Sequence, residues 1–336
     1  EKVAERARVV AATVGPFSLY GENLIAACAR HGTDYVDITG ETAFVGRMIT
    51  KYQAAAQASG AKLIPCCGFD SVPSDLGVFT AVSHVRQVLG EGLKTVDAYF
   101  SIRGGLNGGT LATLTQMFES GDWDLMQHAG VMIPDCPEYV SPRGQATRVG
   151  FDRAGREWIA PFFMGVINTR VVTRSAALSA KWGTSYGDGF SYAEHQRLGA
   201  WWNPLPALAV SAGQGILSLM GRTHLSRKLL AAIGPEPGSG PTNEAMARGF
   251  YFMEIIGACE GGRRVGVRFA GKGDPGNRAT TLFLCEAALC LANDREELPG
   301  GGDRCGFLTP ATGLGTVLAN RLTRSGVSIE VFLHDG

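Results

Sequence analysis

Arg8-Val-Val-Ala-Ala-Thr-Val14, Tyr35-Val-Asp-Ile-Thr39 and Ala61-Lys-Leu-Ile-Pro-Cys-Cys67 decide the fold. Each run is short and apolar or β-branched, without a polar face, as in parallel strands covered on both sides. Each is followed by a glycine: Gly15-Pro16, Gly40 and Gly68. Between them lie helical segments. Glu22 to Arg30 has helical period and stops at Gly32, residues 42–58 close at Gly60, and Leu76 to Leu89 form a third helix. Strand and helix alternate three times, which is half of a doubly wound α/β sheet. No G-x-G-x-x-G turn stands near the start. Two readings follow: an α/β domain without a dinucleotide, or a chain that begins after the phosphate-binding half. The first residue, Glu1 and not Met, supports the second.

The 336 residues suggest two domains, at roughly 150 residues each. Hydrophobic residues make up 45%, a globular composition. Lys+Arg and Asp+Glu are 31 each, and zero net charge argues against nucleic acid as the main partner. Charged residues are only 18% and glycines number 46, which suggests much buried surface, many special turns and an apolar ligand. No basic-then-apolar leader follows Glu1, so no signal peptide is expected. Eight cysteines without a C-x-x-C pair read as reduced, buried, cytoplasmic thiols. The six histidines are scattered singly, and no metal site is expected.

Beyond Gly92 the pattern changes to α+β. Thr95 to Ile102 alternates as a half-exposed strand, and a helix runs from about Thr110 to Ser120. Residues 121–160 read as loop-rich. Residues 244–256 and 263–270 read as strands, 279–293 and 310–325 as helices, and Val327 to Leu333 as a last strand.

Four places could carry chemistry, each with a structural alternative. Thr13-Val-Gly-Pro-Phe17 lies at a strand's carboxyl end, where open α/β sheets bind ligands; it could equally be an ordinary turn. Cys66-Cys-Gly-Phe-Asp-Ser-Val-Pro-Ser-Asp75 also ends a strand and opens a helix. There Ser74 or Asp75 could cap, leaving Asp70 and Ser71 for the crevice. Gly104 to Thr110 could cradle an anion or be a tight turn. Gly183-Thr-Ser-Tyr-Gly187 matches a nucleophile elbow, but its polar surroundings argue against one.

Several of these runs also carry a family likeness. They are Thr13-Val-Gly-Pro-Phe17 with Tyr20-Gly21, Gly32-Thr-Asp-Tyr-Val-Asp37, Thr39-Gly-Glu41 and Cys67-Gly-Phe-Asp-Ser-Val-Pro-Ser-Asp-Leu-Gly77. The second half adds Gly108-Gly-Thr110, Gly234 to Pro241, Gly273-Asp-Pro-Gly276, Glu286 to Leu291 and Leu308-Thr-Pro-Ala-Thr312. The chain resembles the saccharopine dehydrogenase-like oxidoreductases, and among them the actinobacterial trans-acting enoyl reductases. The family's Gly-rich phosphate turn has no counterpart here, and Asn277 stands where members often have Tyr.

The resemblance implies a Rossmann-type doubly wound parallel sheet, its N-terminal part missing, with an inserted α+β second domain. The boundaries would be 1–92 for the dinucleotide-binding part, 93–305 for the substrate and dimerisation domain, and 306–336 for a helix and strand returning to the first domain. The implied activity is NAD(P)H-dependent reduction of an enoyl thioester in long-chain, polyketide-derived lipid synthesis, with NADP expected ahead of NAD. Thr13, Val14, Gly15, Pro16, Phe17, Cys67, Gly68 and Phe69 would meet the cofactor. Asp70, Ser71 and Asp75 would shape the nicotinamide side, with Asp70 the best proton relay. Implied partners are an acyl thioester or lipid substrate, a polyketide synthase and a second copy in a homodimer. The alternatives are a saccharopine-type amino-acid dehydrogenase, which would want clustered arginines, and a non-catalytic lipid-associated protein. Arg143, Arg148, Arg153 and Arg156 lie together, but with Asp152 and Glu157 they read as solvated surface.

Residues 198–221 carry no charge between Arg197 and Arg222 and begin with Trp201-Trp202. Ser211, Gln214 and Ser218 make a narrow polar stripe on an otherwise apolar helix from Leu205 to Met220. The readings are a buried helix or dimer contact, or contact with an acyl chain or the inner face of a membrane. Pro204, Pro206 and the polar stripe oppose a membrane span.

Overall fold

A computed structural model describes residues 1–105, 108–140, 146, 148–152, 155–223, 226, 239–301 and 303–333. Four strands form a parallel sheet in the order β1 (Val9–Ala12), β2 (Asp34–Asp37), β3 (Lys62–Ile64) and β10 (Gly306–Phe307). The helices α2 (Glu22–His31) and α3 (Thr42–Ser59) make the crossovers, and Gly32 and Gly60 end them at φ 71° and 80°. A left-handed residue there satisfies the last carbonyls without a Cβ clash. β2 and β3 are buried at every residue. β1 is not the buried strand its apolar run suggests: it is an edge, half-exposed, paired only with β2 among the described residues.

The second sheet has seven strands, in the order β11 (Ser328–Leu333), β9 (Arg264–Lys272), β8 (Phe250–Cys259), β4 (Leu93–Arg103), β7 (Ser191–Ala200), β6 (Glu157–Pro161) and β5 (Gly150–Asp152). Only β4 and β7 pair in parallel. Helix α4 (Val72–Leu89) carries the chain from the first sheet across the second, with Leu76, Val78, Val82 and Val85 in one core with Val96, Ile255 and Val267. Thus the residues that follow β3 lie where the two sheets meet.

Several expectations change. The C-terminal return divides: Gly306–Phe307 joins the first sheet beside β3, whereas Ser328–Leu333 pairs with β9 in the second. Two consecutive residues carry too little pattern to be read as a strand. The strand expected at 244–256 begins at Phe250, after the short helix Asn243–Ala247 capped by Thr242. The loop-rich region contains helix α6 (Asp122–Met126), β5 and β6. Helix α7 (Gly165–Lys181) and β7 have no clear periodic signal. α7 buries Asn168, Thr169, Arg170, Arg174 and Ser175 together with its apolar residues, so no polar face marks it.

The Gly183–Gly187 elbow sits in the loop from α7 to β7, not between a buried strand and a helix, and Ser185 Oγ bonds the Gly187 carbonyl. No disulfide forms among the described cysteines; Cys285 is exposed, against the expectation of burial, and Cys305 is half-buried. No cluster of potential metal ligands occurs among the described residues. Arg148 and Arg156 are exposed. Arg143 and Arg153 lie outside the described residues, as do Leu106 and Asn107 of the glycine loop and all but the last three residues of the Gly234–Pro241 run.

Candidate functional site

The carboxyl ends of β1, β2 and β3 are tied together by two carboxylates. Asp37 ends β2 and accepts from Thr39 N (3.0 Å), Cys66 N (3.0 Å) and the Tyr35 hydroxyl (2.9 Å). Burial pushes its carboxyl up to about 6. Glu41 is buried and accepts from Phe17 N (2.6 Å) and Ser18 N (2.9 Å). Those amides open the short helix α1 (Phe17–Tyr20), whose first turn would otherwise leave donors unsatisfied. Glu41 therefore sets the turn after β1. Thr13, Val14 and Gly15 stand exposed on it, the Gly15-Pro16 bond is cis, and Phe17 is buried.

After β3, Cys66 adopts φ 63°, a left-handed conformation unusual for a side-chain-bearing residue. Its amide on Asp37 and the Cys67 amide on the Asp37 carbonyl (2.7 Å) hold the turn. Burial pushes both thiols well up, so they stay protonated and poorly nucleophilic. Gly68 faces Thr280, whose hydroxyl accepts from Phe69 N (3.1 Å). Phe69 packs on Tyr251 at 5.0 Å and Phe283 at 6.3 Å between ring centres. Cys67, Gly68 and Phe69 are all buried and form the back wall of the site.

A second wall is the Gly273-Asp-Pro-Gly276 loop. Asp274 is buried and accepts from Gly105 N (2.7 Å), Asn277 N and the Asn277 side chain (both 2.8 Å). A Cβ on Gly104 would lie 2.6 Å from Pro275, so only glycine allows this approach. Asn277 thus braces its own loop. Helix α5 (Gly108–Ser120) follows, and its Thr113 lies 3.5 Å from where a Gly15 Cβ would be.

Asp70, Ser71, Ser74 and Asp75 separate into different roles. Asp70 is partly exposed, accepts no hydrogen bond among the described residues, and burial raises its carboxyl to about 6. Ser71 Oγ donates to Asn168 Oδ1 (3.1 Å), and Asn168 Nδ2 donates to Glu194 Oε2 (2.9 Å). Glu194 Oε1 accepts from Ser74 (2.6 Å) and Tyr192 (2.7 Å). Burial, with a smaller push from the nearby Asp70 charge, raises Glu194 to about 7 against these bonds. Neither Ser74 nor Asp75 caps α4: its first residue is preceded by Ser71, without a side-chain cap. Asp75 is fully buried and accepts from Ser175 and from Ala311 N (2.7 Å) in the π-helical turn Pro310–Leu314. It ties helices together and does not face the crevice.

The structure therefore leaves Asp70 partly exposed after β3 and places both Ser71 and Asp75 in the interior, against the expectation that they shape a crevice. Asn168, Glu194 and Tyr192 were not singled out in the sequence. Glu194 sits in an unpatterned stretch, and its contacts with Ser74 and Asn168 on two distant helices reveal it. Two hollows of about 370 and 360 Å³ lie at the opposite, amino ends of the strands, lined in part by Gln53 and Arg304 and by Arg8 and Arg295. They do not touch these groups.

A pH measurement tests the Glu194 environment. Its folded pKa lies above the ordinary carboxyl value, so the folded state holds the proton more tightly. Its contribution is kept at low pH and lost as pH rises from about 4.5 to about 7. Glu194→Gln is expected to flatten the denaturation free energy across that window. An unchanged slope contradicts the assignment.

A parallel sheet with a glycine-lined carboxyl edge, closed by a second sheet that brings its own polar groups, is the architecture of Rossmann-type dehydrogenases. Saccharopine dehydrogenase (L-Glu forming) from Saccharomyces cerevisiae superposes with a TM-score of 0.51 at 12% identity, over 99% of this chain and 86% of that one. At that identity the likeness concerns the fold alone. No family model matches the chain. Whole-chain relatives are closer. A Mycobacterium tuberculosis protein, provisionally named a trans-acting enoyl reductase, is 38% identical over 98% of this chain and 81% of its own length. The trans-acting enoyl reductase of Mycobacterium leprae is 36% identical over 98% and 81%, and that of Mycobacterium tuberculosis H37Rv 35% over 97% and 81%. The chain belongs to the trans-acting enoyl reductase family.

Proposed function

We propose that this protein is a cytoplasmic reductase that uses NADPH, or less readily NADH, to saturate the double bond of an enoyl thioester presented by a partner synthase during long-chain lipid synthesis. The observation that carries the reading is Asp70, a carboxyl group with no hydrogen bond among the described residues, after β3 on the carboxyl side of the sheet, where α/β folds bind ligands. The residues fit the nicotinamide side of a dinucleotide. Thr13 to Gly15 offer bare, exposed backbone, and Ser18 Oγ is buried with no partner among the described residues. Gly68 and Phe69 form the wall behind. When bound, the cofactor supplies a hydride for C3 of the enoyl group.

The chain's own task is the proton at C2. Protonated Asp70 gives its proton there and is left as a carboxylate, completing addition of H⁻ and H⁺ across the double bond. Ser71, anchored by Asn168 and Glu194, fixes the start of α4 beside Asp70. The buried aromatic wall excludes water from one side of the crevice. The saccharopine-type alternative is less well supported, because Arg148 and Arg156, the two described members of the arginine run it would use, are exposed.

The test is oxidation of NADPH and NADH by the full-length protein with a pantetheine-linked enoyl thioester, with saccharopine, and with neither. Oxidation specific to the thioester, with a saturated product, is expected. Oxidation with saccharopine alone would move the protein to the amino-acid dehydrogenases. Cofactor binding without turnover on any substrate would leave a non-catalytic role.

A further inference from the structure

Helix α8 (Leu205–Met220) is inside out. A soluble surface helix turns its apolar stripe inward and its polar residues to water. Here Ala207 is the sole fully buried residue of the helix. The polar stripe points to the protein: Gln214 Nε2 donates to the Pro161 carbonyl (3.0 Å), and Ser211 Oγ is buried with no partner among the described residues. The outward face is apolar. Leu205, Leu208, Ile216 and Leu219 are 68, 50, 57 and 62% exposed. A Cβ added at Gly213 or Gly215 would meet nothing within 4 Å. At the N-terminal end Trp201 and Trp202 are 59 and 68% exposed, and Trp158 Nε1 pins the Trp201 carbonyl at 3.0 Å. The buried-helix reading of this segment is therefore excluded.

We propose that this face docks on an anionic membrane surface, with α8 lying in the plane of the lipid headgroups. The charge pattern selects this occupant. No acidic residue occurs from His195 to Pro235, and Arg222 stands exposed just after the helix. Exposed tryptophans, a charge-free apolar face and a flanking cation match an interfacial helix on anionic lipid. A spanning mode does not fit, because no described helix is long and apolar enough to cross a membrane.

Size argues against a second copy of the chain. Sixteen residues make a strip about 24 Å long and about 10 Å wide, on the order of 240 Å². A stable dimer buries about 800 Å² on each partner. A lipid surface has no such minimum, since the same side chains insert into a continuous apolar phase. The helix also ends beside the site. Gly221 packs on Phe118 of α5, the helix whose Thr113 approaches Gly15. Membrane docking would thus hold the crevice close to lipid, but the docking argument does not depend on the reaction proposed above.

The experiment is flotation of the full-length protein with phosphatidylcholine vesicles and with mixed phosphatidylcholine–phosphatidylglycerol vesicles. Wild type is expected to float with the mixed vesicles, and at least tenfold less with the neutral ones or at high salt. Leu208→Ser/Ile216→Ser/Leu219→Ser is expected to lose at least tenfold on both. Arg222→Glu is expected to lose binding only on the anionic vesicles. Thermal melts check folding, and Leu219→Ser alone serves if the triple variant fails to fold. No flotation of wild type, or equal flotation of folded variants, overturns the proposal. A dimer seen by sedimentation that the same substitutions abolish, without vesicle binding, also overturns it and assigns the face to a second copy.

Discussion

Asp70→Asn is expected to lower turnover about 100-fold, the lower end of what a positioned general acid contributes, with cofactor binding retained. Asparagine keeps the shape of the side chain at the end of β3 but has no proton to give. The pH profile is the more diagnostic readout. Burial raises the Asp70 carboxyl to about 6. The protonated form is the active one in this mechanism, so wild-type turnover declines as pH rises through about 6. In the asparagine variant that decline is absent. Ser71→Ala separates positioning from chemistry: it removes the bond to Asn168 and should lower turnover while keeping the decline. Full turnover with an unaltered profile in Asp70→Asn would remove Asp70 from the reaction.

Arg174→Leu should cost about 3–5 kcal/mol of stability, the usual result of removing one partner from a buried ion pair. Arg174 is fully buried. Its guanidinium reaches the Met132 carbonyl at 2.6 Å, Asp135 at 2.9 Å and the Phe307 carbonyl at 2.7 Å. One side chain thus joins α7, the loop after α6 and the end of β10. Leucine fills part of the volume but leaves Asp135 and two carbonyls without their donor. Arg174→Lys should fall between, because an ammonium lacks the planar fork that spans three acceptors. Urea denaturation of the three proteins is the measurement. A loss below about 1 kcal/mol, the level of an exposed pair, would mean that Arg174 does not hold the layers together.

The sequence by itself determined the three strand–helix repeats of the first sheet, because β2, β3, α2, α3 and α4 signal locally. Apolar runs, helical period and closing glycines act over a few neighbouring residues: α2 and α3 end at their glycines, whereas β3 stops at Ile64, short of Cys67, and α4 starts at Val72, four residues before Leu76. The strand-end motifs at Thr13 and Cys67 were legible for the same reason. The tertiary structure decided the rest. Asp70 and Asp75 are five residues apart on one motif, yet one is left for the crevice and the other is consumed by Ser175 and Ala311 from distant elements. Glu194 joins this network only because β7 offers its carboxylate to Ser74 of the distant α4. The two-residue strand β10 exists only because β3 is there to pair with it. The stripe on α8 was readable as amphipathic, but which side met the protein was not. Period fixes the spacing of polar residues around a helix, whereas the direction that stripe faces is set by what the helix packs against, here the Pro161 carbonyl and the strands β6 and β7.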